Sequence, residues 1–301
     1  MPPAVRDYLL LHLVVLGWGF TAILGKLIQL PPVEVVLWRT ALAAAGFALL
    51  ARWQHRSLRL ARGDILKMVG VGAVLGLHWM LFFASARLAT ASVSLAALPT
   101  AMLWCTLIEP YVDGTRRWRP LELLVGVVIV AAVWMIYEVE LRYWLGFTVG
   151  IVSALLAAIY AVFTKQQVAR WHYAPMGCYQ MLGALAAALG GWAVTFPGVL
   201  ATPRAEDLGW LLVLSLLCTV GAYAGYMFVL RRMSVFTVNV IYNLEPVYGI
   251  ILAVVIFGSQ EHMSGGFYAG ASIIIGSVLI VPWLRRWVER VPDARKPPFA
   301  S

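Results

Sequence analysis

Charge is what this sequence has least of. Asp, Glu, Lys and Arg make up 12% of its 301 residues and 62% are hydrophobic, whereas soluble domains carry about a quarter of their residues charged. So few charges could not cover the surface of a chain this long, which excludes one or two soluble domains. Cysteine is almost missing as well. Cys105, Cys178 and Cys218 stand singly in apolar runs, with no CxxC and no paired spacing, which excludes a disulfide framework or a thiolate metal site. Five histidines, at 12, 55, 78, 172 and 262, are too scattered for metal ligation. There is no GxxxxGK[ST], so ATP does not drive this chain directly. HExxH, GxSxG and a readable Ser/His/Asp set are lacking, which counts against an integral membrane enzyme. TVGYG is lacking too, which counts against a potassium-type channel. No cofactor and no metal are implied. A secretory signal is not evident. MPPAVR precedes YLLLHLVVLGWGFTAILG, which is longer than an h-region and has no small-residue cleavage site, so this first run is expected to persist as a helix.

What the chain does have is long apolar runs, near the ~20 residues that cross a bilayer as a helix. Ten are expected, at about 7–28, 33–52, 64–86, 90–111, 119–137, 143–165, 174–196, 207–230, 235–257 and 264–284. The boundary between the fifth and sixth is the weakest, because only Glu138 to Arg142 separates them. Ten spans put both termini on one side. The net charge of +9 then has a topological explanation rather than a nucleic-acid one. Of 23 Lys and Arg residues, only Lys26, Arg87, Arg142 and Arg204 fall on the far side, and Arg39 falls within the second span. The remaining eighteen share the side of the termini, among them Arg116, Arg117, Arg119, Arg231, Arg295 and Lys296. Positive loops stay in the cytoplasm, so both termini are expected there, with a short polar tail at the C-terminal end.

Five spans per half would give two halves of opposite orientation, a frequent transporter design. HWMLFFASARLATASVSLAALPT, from His78, can be laid on YMFVLRRMSVFTVNVIYNLEPV, from Tyr226. Each has an aromatic helix end, an Arg, a short turn, a Ser/Thr-bearing start and then a proline, Pro99 in one half and Pro246 in the other. The expected organisation is an all-α polytopic membrane protein of ten transmembrane helices. Residues 1–140 form the first five-helix repeat, 141–288 the second, inverted repeat, and 289–301 a cytoplasmic tail.

Order and spacing of several stretches carry a further likeness. They are LGWGFTAILGKLI at Leu16, RTALA at Arg39, ATASVSLAALPTAM at Ala89, FTVNVIYNLEPVYGIILAVVIFGSQE at Phe236 and GGFYAGASIIIGSVLI at Gly265. Over nearly its whole length the chain resembles the drug/metabolite transporter superfamily, EamA type. The resemblance implies ten helices in two inverted five-helix repeats and export of small metabolites, often amino acids. That family includes a bacterial exporter of aromatic amino acids.

Few residues in the spans are costly in lipid, where a charge at the helix centre costs about 2.5–3.5 kcal/mol. Glu245 is the clearest, ten residues into its span. Pro246 beside it cannot close its i−4 bond and frees the carbonyl of Tyr242. Asn239, Tyr242/Asn243, Pro246 and Gly249 share one stripe, with Glu245 to one side. Glu245 is read either as a cavity carboxylate able to carry a proton, which would make the proton a coupling ion, or as a structural carboxylate paired with a base. Arg39 is read either as a guanidinium for a substrate carboxylate or for Glu245, or as a snorkelling residue. Lys26 is expected to snorkel. His78 is read either as a hydrogen-bonded packing residue or as a cavity residue. Glu109-Pro110 reads as a helix stop. Among 13 Trp, 12 Tyr and 12 Phe, most are expected in interfacial belts. Trp18, Trp79, Trp104, Tyr160, Tyr223, Tyr226 and Tyr242 lie deeper. The candidate substrate lining is Trp18, Arg39, His78, Trp79, Tyr160, Tyr242, Asn243 and Glu245. It suits an amino acid or similar amphiphile in a lipid-embedded secondary transporter working by alternating access, or alternatively a drug-like cation with Glu245 as counter-charge. Oligomeric state is not legible.

Overall fold

A computed structural model describes residues 5–112, 114, 120–139, 141–195, 200–230, 232–233, 238 and 241–290. Asn239, Arg116, Arg117, Arg119, Arg231, Arg295, Lys296 and the tail from 291 onward lie outside the described residues. Among those described there is helix and no strand. The helices are α1 (Val5–Leu27), α2 (Pro32–Trp53), α3 (Arg62–Leu88), α4 (Ala91–Ala97), α5 (Ala101–Val112), α6 (Pro120–Val139), α7 (Trp144–Val168), α8 (Tyr173–Thr195), α9 (Ala205–Leu212), α10 (Ala222–Leu230), α11 (Glu245–Phe257) and α12 (Gly265–Arg290). A 3₁₀ turn at Leu98–Thr100 joins α4 to α5, and a π-helical stretch at Val213–Gly221 joins α9 to α10. Seven of the resulting rods are long and apolar enough to cross a membrane, and Leu124–Glu138 is a shorter apolar helix. Nine of the ten expected spans coincide with a described helix or joined pair; of the span expected at 235–257, residues 235–237, 239 and 240 lie outside the described residues and α11 covers its second half. The chain is an all-α polytopic membrane protein.

Both prolines interrupt their helices. At Pro99 the α-helical spacing tightens to 3₁₀ for one turn. At Pro246 the chain turns at Asn243 and Leu244, Leu244 N–H donates to Ile241 at 3.0 Å, and α11 starts afresh at Glu245. Proline is tolerated at a helix start, where its missing N–H has no intrahelical partner in any case. Pro110 behaves differently. It sits inside α5, which continues to Val112, so Glu109-Pro110 occupies the last turn and Glu109 pairs with Lys165 of α7.

Small residues set which helices touch. A methyl on Gly72 of α3 would lie 1.9 Å from the Gln180 carbonyl of α8, and one on Gly183 of α8 would lie 2.0 Å from the Val69 carbonyl of α3. Backbones this close need side-chain-free faces, the usual basis of helix association in lipid. Gly19 of α1 meets Gly249 of α11 in the same way, with the Glu245 carbonyl alongside. That crossing holds the broken helix against α1.

One end of the bundle is closed by a polar knot. Glu261, fully buried after α11, takes the Lys26 ammonium of α1 at 2.8 Å. It also accepts the N–H groups of Ala91 and Ser92 at 2.9 and 2.8 Å, satisfying free donors at the N-terminus of α4. The Arg87 guanidinium donates to the carbonyls of Gly25 and Ile28. Asp207 accepts the Gln29 N–H at 2.7 Å and pairs with Arg204. Lys26 was expected to snorkel; the Glu261 carboxylate holds it inside instead. Burial alone would raise the Glu261 carboxyl, but Lys26 and the two amides outweigh it and hold it below the usual carboxylate range.

Two outcomes follow from this packing. Gly183→Leu must part α3 from α8 and should cost at least about 1–3 kcal/mol, read as a lowered thermal midpoint in detergent. The Glu261 tie contributes stability above the ordinary carboxylate pKa and loses it as pH falls through the depressed folded value. Melts from neutral to acid pH should show that loss in the parent. Glu261→Ala should show it much less, while being less stable at neutral pH by about 3 kcal/mol.

Candidate functional site

Two aromatic groups and two opposite charges meet where the broken helices pass one another. Trp18 of α1, Tyr226 of α10 and Tyr242 form the first group. The Trp18 ring centre lies 5.5 Å from those of both tyrosines, and the tyrosines lie 6.5 Å apart. Tyr242 keeps 42% of its surface accessible, so it is only partly covered by its neighbours. Trp79 of α3, Tyr160 of α7 and Tyr223 of α10 form the second group, packed on Phe47, Ala43 and Cys178. Such rings offer broad apolar faces with a polar tip and suit an amphipathic solute.

Arg39 stands in the second group. It is 3% exposed, its guanidinium carbon lies 3.6 Å from the centre of the Trp79 ring, and Nε donates to Thr219 Oγ1 at 3.0 Å. Nη1 is buried with no partner among the described residues. This geometry is incompatible with snorkelling: the head is packed on an indole within the bundle. The acceptor exists because of the π-helical stretch. Thr219 Oγ1 donates in turn to the Leu214 carbonyl five residues earlier, at 2.7 Å, the spacing of a π-turn. Glu245, half-buried at the start of α11, lies within electrostatic range of Arg39 and of Tyr242.

His78, next to Trp79, is directed to α7. Its carbonyl accepts the Ser153 hydroxyl at 2.9 Å, and its Nδ1 lies 2.9 Å from the Ser153 carbonyl. With the hydroxyl proton committed to the His78 carbonyl, Nδ1 carries the hydrogen and donates. Tyr160 Oη donates to Gln180 Oε1 at 3.1 Å. Gln180 Nε2 donates to Gln167, and Gln167 Nε2 donates to the Lys67 carbonyl. Asn243 occupies the half-buried turn ahead of Glu245. The structure therefore gathers Trp18, Arg39, Trp79, Tyr160, Tyr242 and Glu245 around one region, ties His78 into the α3–α7 contact, and leaves Asn243 at the break.

Sequence reasoning passed over Thr219, and did not place Tyr223 and Tyr226 in the lining although both were among the deep aromatics. The Tyr223 hydroxyl and Trp104 Nε1 are buried without partners among the described residues. With Arg39 Nη1 they are among several buried donors with unspent capacity, Trp38 Nε1, Trp192 Nε1, Ser92 Oγ and Ser215 Oγ being others.

Helices that span a membrane, broken where charges and rings converge, define a membrane transporter. Residues 6–138 and 144–283 each match the model of the EamA-like transporter family. The chain belongs to that family, within the drug/metabolite transporters, and its two halves are two copies of the family unit. Fourteen chains of solved structures match it significantly. One, described as a crystal structure of protein, has a TM-score of 0.66 at 18% identity, over 95% of this chain and 100% of the other; at that identity the likeness shows the fold. No curated protein matches.

If Thr219 is the strap that orients Arg39, Thr219→Val should cost about 2 kcal/mol, because it strands a buried charged donor. Thr219→Ser should cost much less. Thermal midpoints of the two variants in one detergent check this.

Proposed function

We propose that this protein is a secondary transporter, and no enzyme, that exports amino acids or closely similar amphiphiles across the bacterial inner membrane by alternating access. Aromatic and hydrophobic side chains are the favoured cargo. The observation that carries this is a buried guanidinium with a carboxylate within electrostatic range of it, set among clustered aromatic rings. Arg39 has a spare N–H for a carboxylate, Glu245 stands within electrostatic range to meet an amine, and Trp18, Trp79, Tyr160 and Tyr242 supply faces for the apolar part. Asn243 and His78 complete the proposed lining. A zwitterion offers the complement to both charges, whereas a simple organic cation would use Glu245 and leave Arg39 uncompensated. Export of drug-like cations is the second reading, favoured only by that carboxylate.

In this reading both termini lie in the cytoplasm, residues 1–140 and 141–288 are the two inverted repeats, and 289–301 is a cytoplasmic tail. The polar knot at Glu261 then closes the outer end. Release of cargo requires Lys26 to leave Glu261 and the N-terminus of α4 to lose its carboxylate cap. A proton is the proposed coupling ion, with Glu245 as its carrier.

Purified protein in liposomes, offered a panel of labelled amino acids with and without a pH gradient, tests the reading. Flux of aromatic or branched amino acids is expected. Arg39→Gln should reduce it at least tenfold, a loss of about 1.4 kcal/mol of substrate stabilisation. Glu245→Gln should abolish the response to the gradient. Flux of organic cations without amino acids would select the second reading, and absence of any flux would favour a structural or enzymatic role. Full pH dependence in Glu245→Gln would remove the proton-carrying role.

A further inference from the structure

An open groove of about 750 Å³ runs along the seam between α3 and α7, and Tyr160 of the central constellation stands at its inner end. Gly70 and Phe163 at its lips are exposed, while Gly72 of α3 and Thr164 of α7 turn to α8. Its wall is apolar, from Val71, Val74 and Phe163, and its mouth carries Lys67, Arg170 and Trp171. Lys67 stands in the second turn of α3, and Arg170 lies two residues past the end of α7. Both therefore sit at the depth where a helix leaves the hydrocarbon. Among the described residues, neither is in an ion pair and no carboxylate lines the groove. The floor is already ordered: Gln167, tied to Gln180, holds the Lys67 carbonyl at 3.1 Å.

We propose that this groove is a binding site for an anionic phospholipid, one molecule of the bilayer leaflet at the basic end of the bundle. The phosphate sits between the Lys67 ammonium and the Arg170 guanidinium, and an acyl chain lies inward along Val71, Val74 and Phe163. The dimensions agree. From Lys67 to Val74 is about 10 Å at 1.5 Å per residue, the depth of the upper part of an acyl chain. The charges agree too, since basic pockets between transmembrane helices on the cytoplasmic side attract anionic headgroups. Trp171 at the rim is the amphipathic residue favoured at headgroup level. A neutral lipid has no use for two cations that have no ion-pair partner among the described residues.

The test is native mass spectrometry of the full chain in detergent, titrated with phosphatidylglycerol or with phosphatidylcholine of the same acyl chains. Phosphatidylglycerol should bind its first site on the order of tenfold tighter, since each basic residue near the surface contributes about that order of preference. Lys67→Gln/Arg170→Gln, two exposed positions, should erase the preference. Arg56→Gln/Arg59→Gln, exposed at the same end outside the groove, should keep it. Val74→Trp, which fills the groove, should weaken both lipids. The proposal is overturned if the Lys67/Arg170 variant keeps the preference. It is equally overturned if the Arg56/Arg59 variant loses as much, which would mean diffuse surface charge. Displacement of the lipid by millimolar inorganic phosphate would mean a free-anion site and no lipid site.

Discussion

A guanidinium inside an apolar bundle has to be compensated, and the centre of this protein is arranged around the compensation given to Arg39. The cost of taking such an ion out of water is several kcal/mol even after relaxation. The Trp79 face beneath it returns up to about 2 kcal/mol in a desolvated setting, and the Thr219 hydrogen bond adds a comparable amount. Each of these depends on something larger. Trp79 is in place because α3 lies against α8 on glycine faces. Thr219 is in place because the chain between α9 and α10 winds with π spacing. Glu245 is within range because the helix breaks ahead of it and α11 starts with it. Nη1, without a partner among the described residues, is the part of the balance that they leave open.

The two halves share an architectural device and differ in its chemistry. Both interrupt a helix at a proline, Pro99 and Pro246. Only the second places a carboxylate at the restart. The halves are also fastened unequally. Glu261 of the second half reaches back to Lys26 and to the first amides of α4 in the first half, so one carboxylate joins three elements at one end. At the opposite end Lys165 pairs with Glu109, and Tyr173 accepts from Gln54, each joining two elements.

The spans and their interruptions were legible in the sequence because both causes are local. Hydropathy is summed along the chain, and the missing N–H of proline acts within one turn. The site was legible in part. Glu245 and the deep aromatics announce themselves by being costly or large in a lipid-facing segment. Arg39 could not be assigned between interface and interior, because its position depends on Thr219, 180 residues away. Lys26 was misread for the same reason, its partner lying 235 residues on. Gly183 belongs to no glycine pair at four-residue spacing, yet makes one of the closest backbone contacts. Such contacts depend on which helices are neighbours, which a single chain read in order does not state.

The π-helical stretch between α9 and α10 has a consequence for register. Residues in an α-helix advance by about 100° each, and a π-turn accommodates one residue more than an α-turn. If the same residues of Val213–Gly221 were wound as ordinary α-helix, the residue that the π-turn absorbs would add its own step and swing α10 about its axis by roughly 100° relative to α9. Thr219, Tyr223 and Tyr226 would then face a different set of neighbours, although no contact residue had been substituted. The winding of this one segment, rather than the identity of any side chain in α10, aims the aromatic face of α10.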